Sequence, residues 1–454
     1  MRRGKFHAAL LRIAGTGALV LGSSTVPGVA ASLENKPVTF AKDVAPILQA
    51  KCEECHRKGT AAPMSLITYE ETRPWAKAIR ERVIKRQMPP WHLDKTVGIQ
   101  KFANDRSLTD DQIATIVRWV DSGAPLGDPK DLPAPRQWPT DETWLLEKRF
   151  GRPPDFVAKS EPYTMPAHGQ DVWWKPSSPV PLEEARWVRA VEMRPGTPAG
   201  RKITHHSLAR LEQDEPGANA DDNGTASDPG SGPGLLMEWA IGKQYDIYRP
   251  NTGKLLLPGS QIRWDIHLHA VGETIRDHVE LGVWLYPKDE TPKYRTRLVG
   301  FQAMPRGNFI DIPPNTTTEN QGFTVLKNPA RLENFQPHMH LRGKAMSLEA
   351  ILPDGTTRML SYVDHFNFNW MNNYIYADDA APVLPKGTII RVTAWYDNTT
   401  SNPNNPDPNQ WVGYGDRTVD EMGHAWVNVT YITEEDYKEW LAAHKPDAKL
   451  SAQR

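Results

Sequence analysis

Gln261-Ile262-Arg263-Trp264-Asp265-Ile266-His267-Leu268-His269 alternates polar and apolar side chains without a break. Successive side chains of a β-strand point to opposite faces, so this run puts Ile262, Trp264, Ile266 and Leu268 on one face and the polar set on the other. A helix would scatter the same residues around its circumference. Thr388-Ile389-Ile390-Arg391-Val392-Thr393-Ala394-Trp395 has a similar strand-like character, and Pro, Gly and Asn punctuate the chain between such runs. That spacing predicts antiparallel β-sandwiches. Roughly 300 residues follow position 160, enough for two domains of ordinary size. They are preceded by Pro129, Pro133, Pro135, Pro139 and Pro153-Pro154, which read as a semi-rigid linker over residues 129–160. Residues 214–234 and 398–409 are expected to be flexible insertions.

Ahead of the linker lies Cys52-Glu53-Glu54-Cys55-His56, which contains both cysteines of the chain. Two thiols three positions apart can add to the two vinyl groups of one porphyrin, and the adjacent imidazole then falls where it can ligate iron. A zinc site would want further Cys or His close by, and a redox dithiol would want a βαβ context. Neither is evident. The surroundings read instead as short helices, over 43–50, over 74–86, and after Thr109 or Asp110, either of which can cap the run Ile113, Ile116, Val117, Val120. These features predict a small all-α cytochrome c domain at 36–128 carrying one covalent haem c. Met88, in Gln87-Met88-Pro89-Pro90-Trp91, is the preferred sixth ligand, because a thioether raises the haem potential and the two prolines hold the chain extended. Met64 and His92 compete with it.

The N-terminus agrees with an oxidising compartment. Met1-Arg2-Arg3-Gly4-Lys5 is basic, residues 8–21 are apolar, and Val29-Ala30-Ala31 offers small residues for cleavage, so residues 1–31 read as a signal peptide. Its apolar run is too short to span a bilayer. A periplasmic or secreted bacterial protein is expected, with no stable membrane span after cleavage. Removing residues 1–31 deletes Arg2, Arg3, Lys5 and Arg12 and no acid, which takes the net charge from −1 to about −5. That balance argues against nucleic acid as a partner.

The histidines of the β region are clustered: His205-His206, His267-x-His269 and His338-x-His340, with Met422 and His424 further on. Residues i and i+2 of a strand share a face, so each His-x-His can present two imidazoles to one point. Adjacent His205 and His206 converge only at a bulge or a strand end. Imidazoles with a thioether and no thiolate favour copper over zinc, because a methionine sulfur stabilises the cuprous state. His92, His168, His278, His365 and His444 read as structural or exposed.

Thr204-His205-His206-Ser207, Ile266-His267-Leu268-His269, Gln336-Pro337-His338-Met339-His340-Leu341-Arg342-Gly343-Lys344 and Asp420-Glu421-Met422 resemble the signatures of the copper type II, ascorbate-dependent monooxygenases. Peptidylglycine α-hydroxylating and dopamine β-monooxygenases belong to that family. Phe366-Asn367-Phe368-Asn369-Trp370 and Trp395-Tyr396-Asp397-Asn398 also resemble its bacterial members, and the likeness spans about residues 163–431. It implies two jelly-roll-like antiparallel sandwiches, at 161–315 and 316–436, followed by a tail at 437–454. It implies two copper ions, one held by His205, His206 and His267, with His269 able to replace His267, and one held by His338, His340 and Met422, where O2 is used. It implies C–H hydroxylation by O2 of an unknown small-molecule or peptide-like substrate. The haem then suggests a periplasmic electron donor in place of ascorbate, with electrons passing to the copper of the first sandwich. The chain has no cysteine left for the disulfides of the animal enzymes and no obvious grip for a peptide carboxylate. Gln336, His424 and Trp426 stand nearest to where such a grip is expected. An alternative is a periplasmic haem and copper electron-transfer protein without hydroxylase activity, and another is a copper-binding scaffold with degenerate sites.

Overall fold

Ile262, Trp264, Ile266 and Leu268 lie together in an apolar core, on a strand that runs from Gln261 to Leu268. The computed structural model describes residues 37–58, 60, 62–138, 143–213, 234–304 and 309–444. The expected signal peptide, residues 214–233 of the first insertion and residues 445–454 of the tail lie outside these. Trp264 is fully buried, and full burial of a large apolar side chain stabilises by about 1.5–3 kcal/mol.

Two β-layered cores share one long sheet. That eleven-stranded sheet runs in the order Phe156–Lys159, Val279–Leu285, Arg186–Pro195, Thr252–Leu256, Tyr294–Gln302, His424–Tyr431, Ala330–Leu332, Val383–Leu384, with short strands added at its sides. A five-stranded sheet containing Val172–Trp174, Gln261–Leu268, Thr204–Glu212 and Leu235–Ala240 supplies the opposing layer of the first core, which includes Val188, Met193, Ala209, Met237 and Leu281. A four-stranded sheet of Thr317–Val325, Ile389–Asp397, Gly343–Ile351 and Thr357–Val363 does the same for the second core, with Phe301, Phe335, Leu348, Val392 and Val427. Tyr294–Gln302 joins the halves, pairing parallel with Thr252–Leu256 and antiparallel with His424–Tyr431. The expectation of two antiparallel sandwiches fits this all-β part.

The small all-α cytochrome c domain expected in front of them is not seen. Among the described residues the protein is mostly β-sheet and 17% helical, and those from Val38 onward form one compact unit. Helices do occur where the apolar spacing placed them, at Ala45–Lys51, Ala76–Ile84 and Asp110–Asp121, the last with Thr109 as a capping-box N-cap. The first two are too short to be stable alone. Between the second and third, the chain leaves the helices and binds to the second sandwich. Trp91 and Leu93 enter that sandwich's core. Leu93 and Phe102 form bridges with Val363 and Tyr376, while Asn372 Nδ2 donates to the Pro90 carbonyl at 3.0 Å. The reading failed because periodicity reports which face of a helix is apolar and not where the intervening extended segment docks.

The proline-rich stretch is also packed as far as Trp138. Gln49 Nε2 donates to the Ala134 carbonyl at 2.8 Å, and Trp138 Nε1 donates to Glu53 at 3.3 Å. The 398–409 insertion is pinned by its own polar side chains. Asn398, fully buried, accepts from Arg342 and donates to the Pro313 and Gln410 carbonyls.

Candidate metal centre

Thr204–Glu212 buries Ser207, Ala209 and Leu211 and turns His206, Leu208 and Arg210 to its other face. It pairs with Gln261–Leu268 so that His267 stands opposite His206, and the register then slips, with Leu268 opposite Thr204. This irregularity falls beside His205 and lets two adjacent histidines turn to one point. Donor atoms of His205, His206 and His267 all lie within 4.8 Å of one another. The Nδ1 atoms of His205 and His206 are 3.1 Å apart.

His267 is oriented from behind. Its Nε2 pairs with Asp171 Oδ2 at 2.8 Å, and its ring stacks on Trp173 with centroids 4.5 Å apart. A carboxylate on one ring nitrogen fixes the tautomer and leaves the other nitrogen to ligate. That other nitrogen, Nδ1, is buried without a hydrogen-bond partner. His269 lies past the strand end, its backbone N–H donating to the Ile203 carbonyl and its ring 6.4 Å from His205.

The second set stands on the shared sheet. Asn334–His338 pairs with His424–Tyr431, placing His338 opposite His424 and Gln336 opposite Trp426. The His338 and His424 rings stack at 4.7 Å, and His340 is 5.4 Å from His338. His340 Nδ1 sits 3.1 Å from the Asp420 carbonyl, which leaves its Nε2 available. Met422 lines the same cleft. Its backbone is held by Glu421, whose fully buried carboxyl accepts N–H bonds from His340 at 2.8 Å, Met422 at 3.2 Å and Arg342 at 2.6 Å. Arg342 is itself buried and donates to Asn398 and to the Val419 and Asp407 carbonyls. Glu421 thus ties the His338-x-His340 turn to the Met422 turn.

His206 of the first set and His338, His340 and Met422 of the second line one solvent-open cleft, walled also by Trp173, Arg210, Glu238, Asp265, His424 and Trp426. Phe368 touches both sets: its ring stacks on His205 at 4.6 Å and meets His340 edge-on at 5.9 Å. Burial is the first cause of low basicity throughout. It holds His205 down at about 3 and His340 at about 4, and keeps His206, His267 and His338 below the ordinary imidazole value. Neutral imidazole is the form that binds metal.

At the other predicted site, Cys52, Cys55 and His56 follow Ala45–Lys51, with the His56 N–H bonded to the Cys52 carbonyl at 2.9 Å. His56 Nδ1 faces the Met64 carbonyl at 3.3 Å, so its Nε2 is left for a ligand. Burial pushes the Cys52 thiol up to about 12 and raises Cys55 as well. Reactive dithiols have depressed values, so the pair does not suit disulfide exchange. Met88 is half-buried at the end of the turn after Ala76–Ile84.

Asp171, Trp173, Glu238, Glu421 and Phe368 join the site beyond the expected ligands. The only sequence signal for Glu421 was its place beside Met422, and Asp171 carried none.

No family model and no curated protein matches the chain. Among solved structures it is similar to a Bacteroides ovatus protein assigned as an alpha-L-fucosidase, at 8% identity over 70% of this chain and 43% of that one, with a TM-score of 0.17. It is also similar to the infectious bursal disease virus VP2 subviral particle, at 12% identity over 62% and 72%, TM-score 0.18. A Paenibacillus xanthan lyase follows at 10% identity over 66% and 28%, TM-score 0.17. Likenesses at that level carry nothing about chemistry, so the site is read from its own residues.

Proposed function

We propose that the protein is an exported haem- and copper-dependent monooxygenase. It inserts one atom of O2 into a C–H bond of a small organic or peptide-like substrate, the other atom leaving as water with two electrons and two protons. The observation that carries this reading is the gathering of His205, His206 and His267 beside a cleft that His206 lines together with His338, His340 and Met422. An orphaned, buried His267 Nδ1 and a half-buried thioether suit copper. Copper held there would supply O2 binding and one-electron chemistry, and haem on Cys52 and Cys55 would supply the entry for electrons.

The chain's own groups do the positioning. Asp171 holds the His267 tautomer, and Glu421 holds the backbones of His340 and Met422. Glu238, Asp265 and Arg210 give the cleft polar groups to orient a substrate, while Trp173 and Trp426 give it apolar walls. The entry route is supported by one loop: Asn372 bonds to Pro90, two residues beyond Met88, and Phe368 of the same loop rests on both histidine sets.

The test is oxygen uptake by the copper-loaded, reduced protein with a panel of substrates. Uptake matched by a hydroxylated product supports the reading. Rapid haem and copper reoxidation without product in any case would favour electron transfer alone.

A further inference from the structure

Residues 73–88 hold six cations, Arg73, Lys77, Arg80, Arg82, Lys85 and Arg86, against one anion, Glu81, in a chain whose net charge without residues 1–31 is about −5. Helix Ala76–Ile84 turns Ala76, Ile79 and Val83 into a small apolar cluster with Leu48 and Trp119, and leaves its opposite face to solvent. Ion pairs within the chain neutralise only part of the charge. Lys85 pairs with Glu81 at 2.7 Å, Arg80 with Asp121 at 2.8 Å, and Arg86 with Asp110. Arg73 and Lys77 enter no ion pair among the described residues.

A run of like charge is ordinarily a solvated face and nothing more. This one also carries large apolar side chains left in water: Trp75, 43% exposed, in the turn that enters the helix, and Ile84, 46% exposed, at its last residue. Tryptophan among arginines is the composition of a protein interface rather than of ordinary surface. The two apolar residues stand at opposite ends of the helix with cations between them, so they make no continuous apolar stripe that could lie in a bilayer. The cluster beneath the helix also takes Cys52 and Met64. A molecule seated on the outward face is then about one helix diameter, about 10–12 Å, from the Cys52 segment.

We propose that the face bearing Arg73, Trp75, Lys77, Arg82, Ile84 and Lys85 docks the acidic surface of a redox protein that delivers electrons to haem on Cys52 and Cys55. The docking rests on the charge and the exposed side chains, and its purpose rests on the haem reading above. Opposite charge draws the two surfaces together, and Trp75 anchors them once water is displaced. Each transfer oxidises the donor by one electron and reduces ferric haem to ferrous.

The test uses the full-length protein with flavodoxin, a small acidic flavoprotein, as the probe. Titration calorimetry with oxidised flavodoxin measures binding, and stopped flow with reduced flavodoxin measures haem reduction. Both should weaken about tenfold or more as salt rises from about 0.01 M to about 0.15 M, where the Debye length falls from about 30 Å to about 8 Å. Arg73→Glu combined with Lys77→Glu should lower both about tenfold at low salt, while Lys386→Glu combined with Lys438→Glu, the same change of charge at exposed positions elsewhere, should leave them within about twofold. Trp75→Ala should weaken binding about tenfold with the salt dependence unchanged. Circular dichroism checks that each variant folds. No binding at low salt, binding unchanged in the Arg73→Glu, Lys77→Glu protein, or an equal loss in the Lys386→Glu, Lys438→Glu protein overturns the docking face. Binding to phosphatidylglycerol vesicles that only the first pair of substitutions abolishes, with flavodoxin binding untouched, assigns the face to a membrane and overturns it as well. In a protein that carries no haem the haem reading falls, and calorimetry alone decides the face.

Discussion

Replacing Glu421 separates the fate of one ligand set from the other. Its carboxyl is fully buried and accepts three backbone N–H groups, from His340, Arg342 and Met422. A buried donor left without a partner costs about 1–3 kcal/mol. Glu421→Ala strands all three, roughly 3–9 kcal/mol, against a total stability on the order of 5–15 kcal/mol. That variant should accumulate poorly. Glu421→Gln keeps one carbonyl oxygen, which can serve the His340 and Met422 N–H groups, while its NH2 opposes the Arg342 N–H. The expected loss is then about 1–3 kcal/mol, with the fold retained. Because the strained segment carries His340 and Met422, cuprous affinity at that set should fall while the His205, His206 and His267 set keeps its metal. Denaturant unfolding followed by tryptophan fluorescence gives the stability, and competition with a chromophoric cuprous chelator gives the two affinities. A Glu421→Gln protein with wild-type stability and two unchanged copper affinities would refute the positioning role. Equal weakening of both sets would refute it as well.

Asp171→Asn should lower copper affinity at the first set by about 10–100-fold, since a carboxylate behind a ligating histidine raises its basicity; copper titration checks this, and no change would sever Asp171 from the site. Met88→Ala should abolish the thioether-to-iron absorption band while haem stays attached to Cys52 and Cys55, and a persisting band would assign the ligand elsewhere. Trp91→Ala removes a buried ring from the second sandwich's core and should cost about 3–5 kcal/mol, measured by denaturant unfolding. A negligible cost would mean that the N-terminal segment is not anchored there. Glu192, buried and accepting N–H bonds from Leu145 and Leu146, has its pKa raised by burial from 4.5 to about 7. The folded state therefore keeps a proton that the unfolded chain releases, giving stability that is full below pH 4.5 and lost as pH rises through 7, on the order of 3 kcal/mol. Glu192→Gln should flatten that arm of the stability profile, and an equally steep arm would assign the proton to another group.

The sequence showed the strands because burial on one face imposes a period of two, and it showed why His205 and His206 need an irregular register. It did not show that His267, on the outward face of Gln261–Leu268, is covered. Trp173 of the neighbouring strand stacks on its ring, and such cover leaves no periodic mark on the strand that carries His267. Asp171 reaches His267 from 96 positions away, a contact no local pattern encodes. The helices near Cys52 were legible from their apolar spacing and from the Thr109 cap. Their independence was not, because Trp91 and Leu93 look the same in sequence whether they serve their own core or another.

X-ray absorption at the copper edge of the fully reduced protein tests the central claim most directly. The account predicts two cuprous ions per chain, nitrogen scattering from imidazoles, and one sulfur contribution that disappears in Met422→Ala while most nitrogen scattering remains. A protein that binds no copper, or one whose sulfur contribution survives in Met422→Ala, would contradict it.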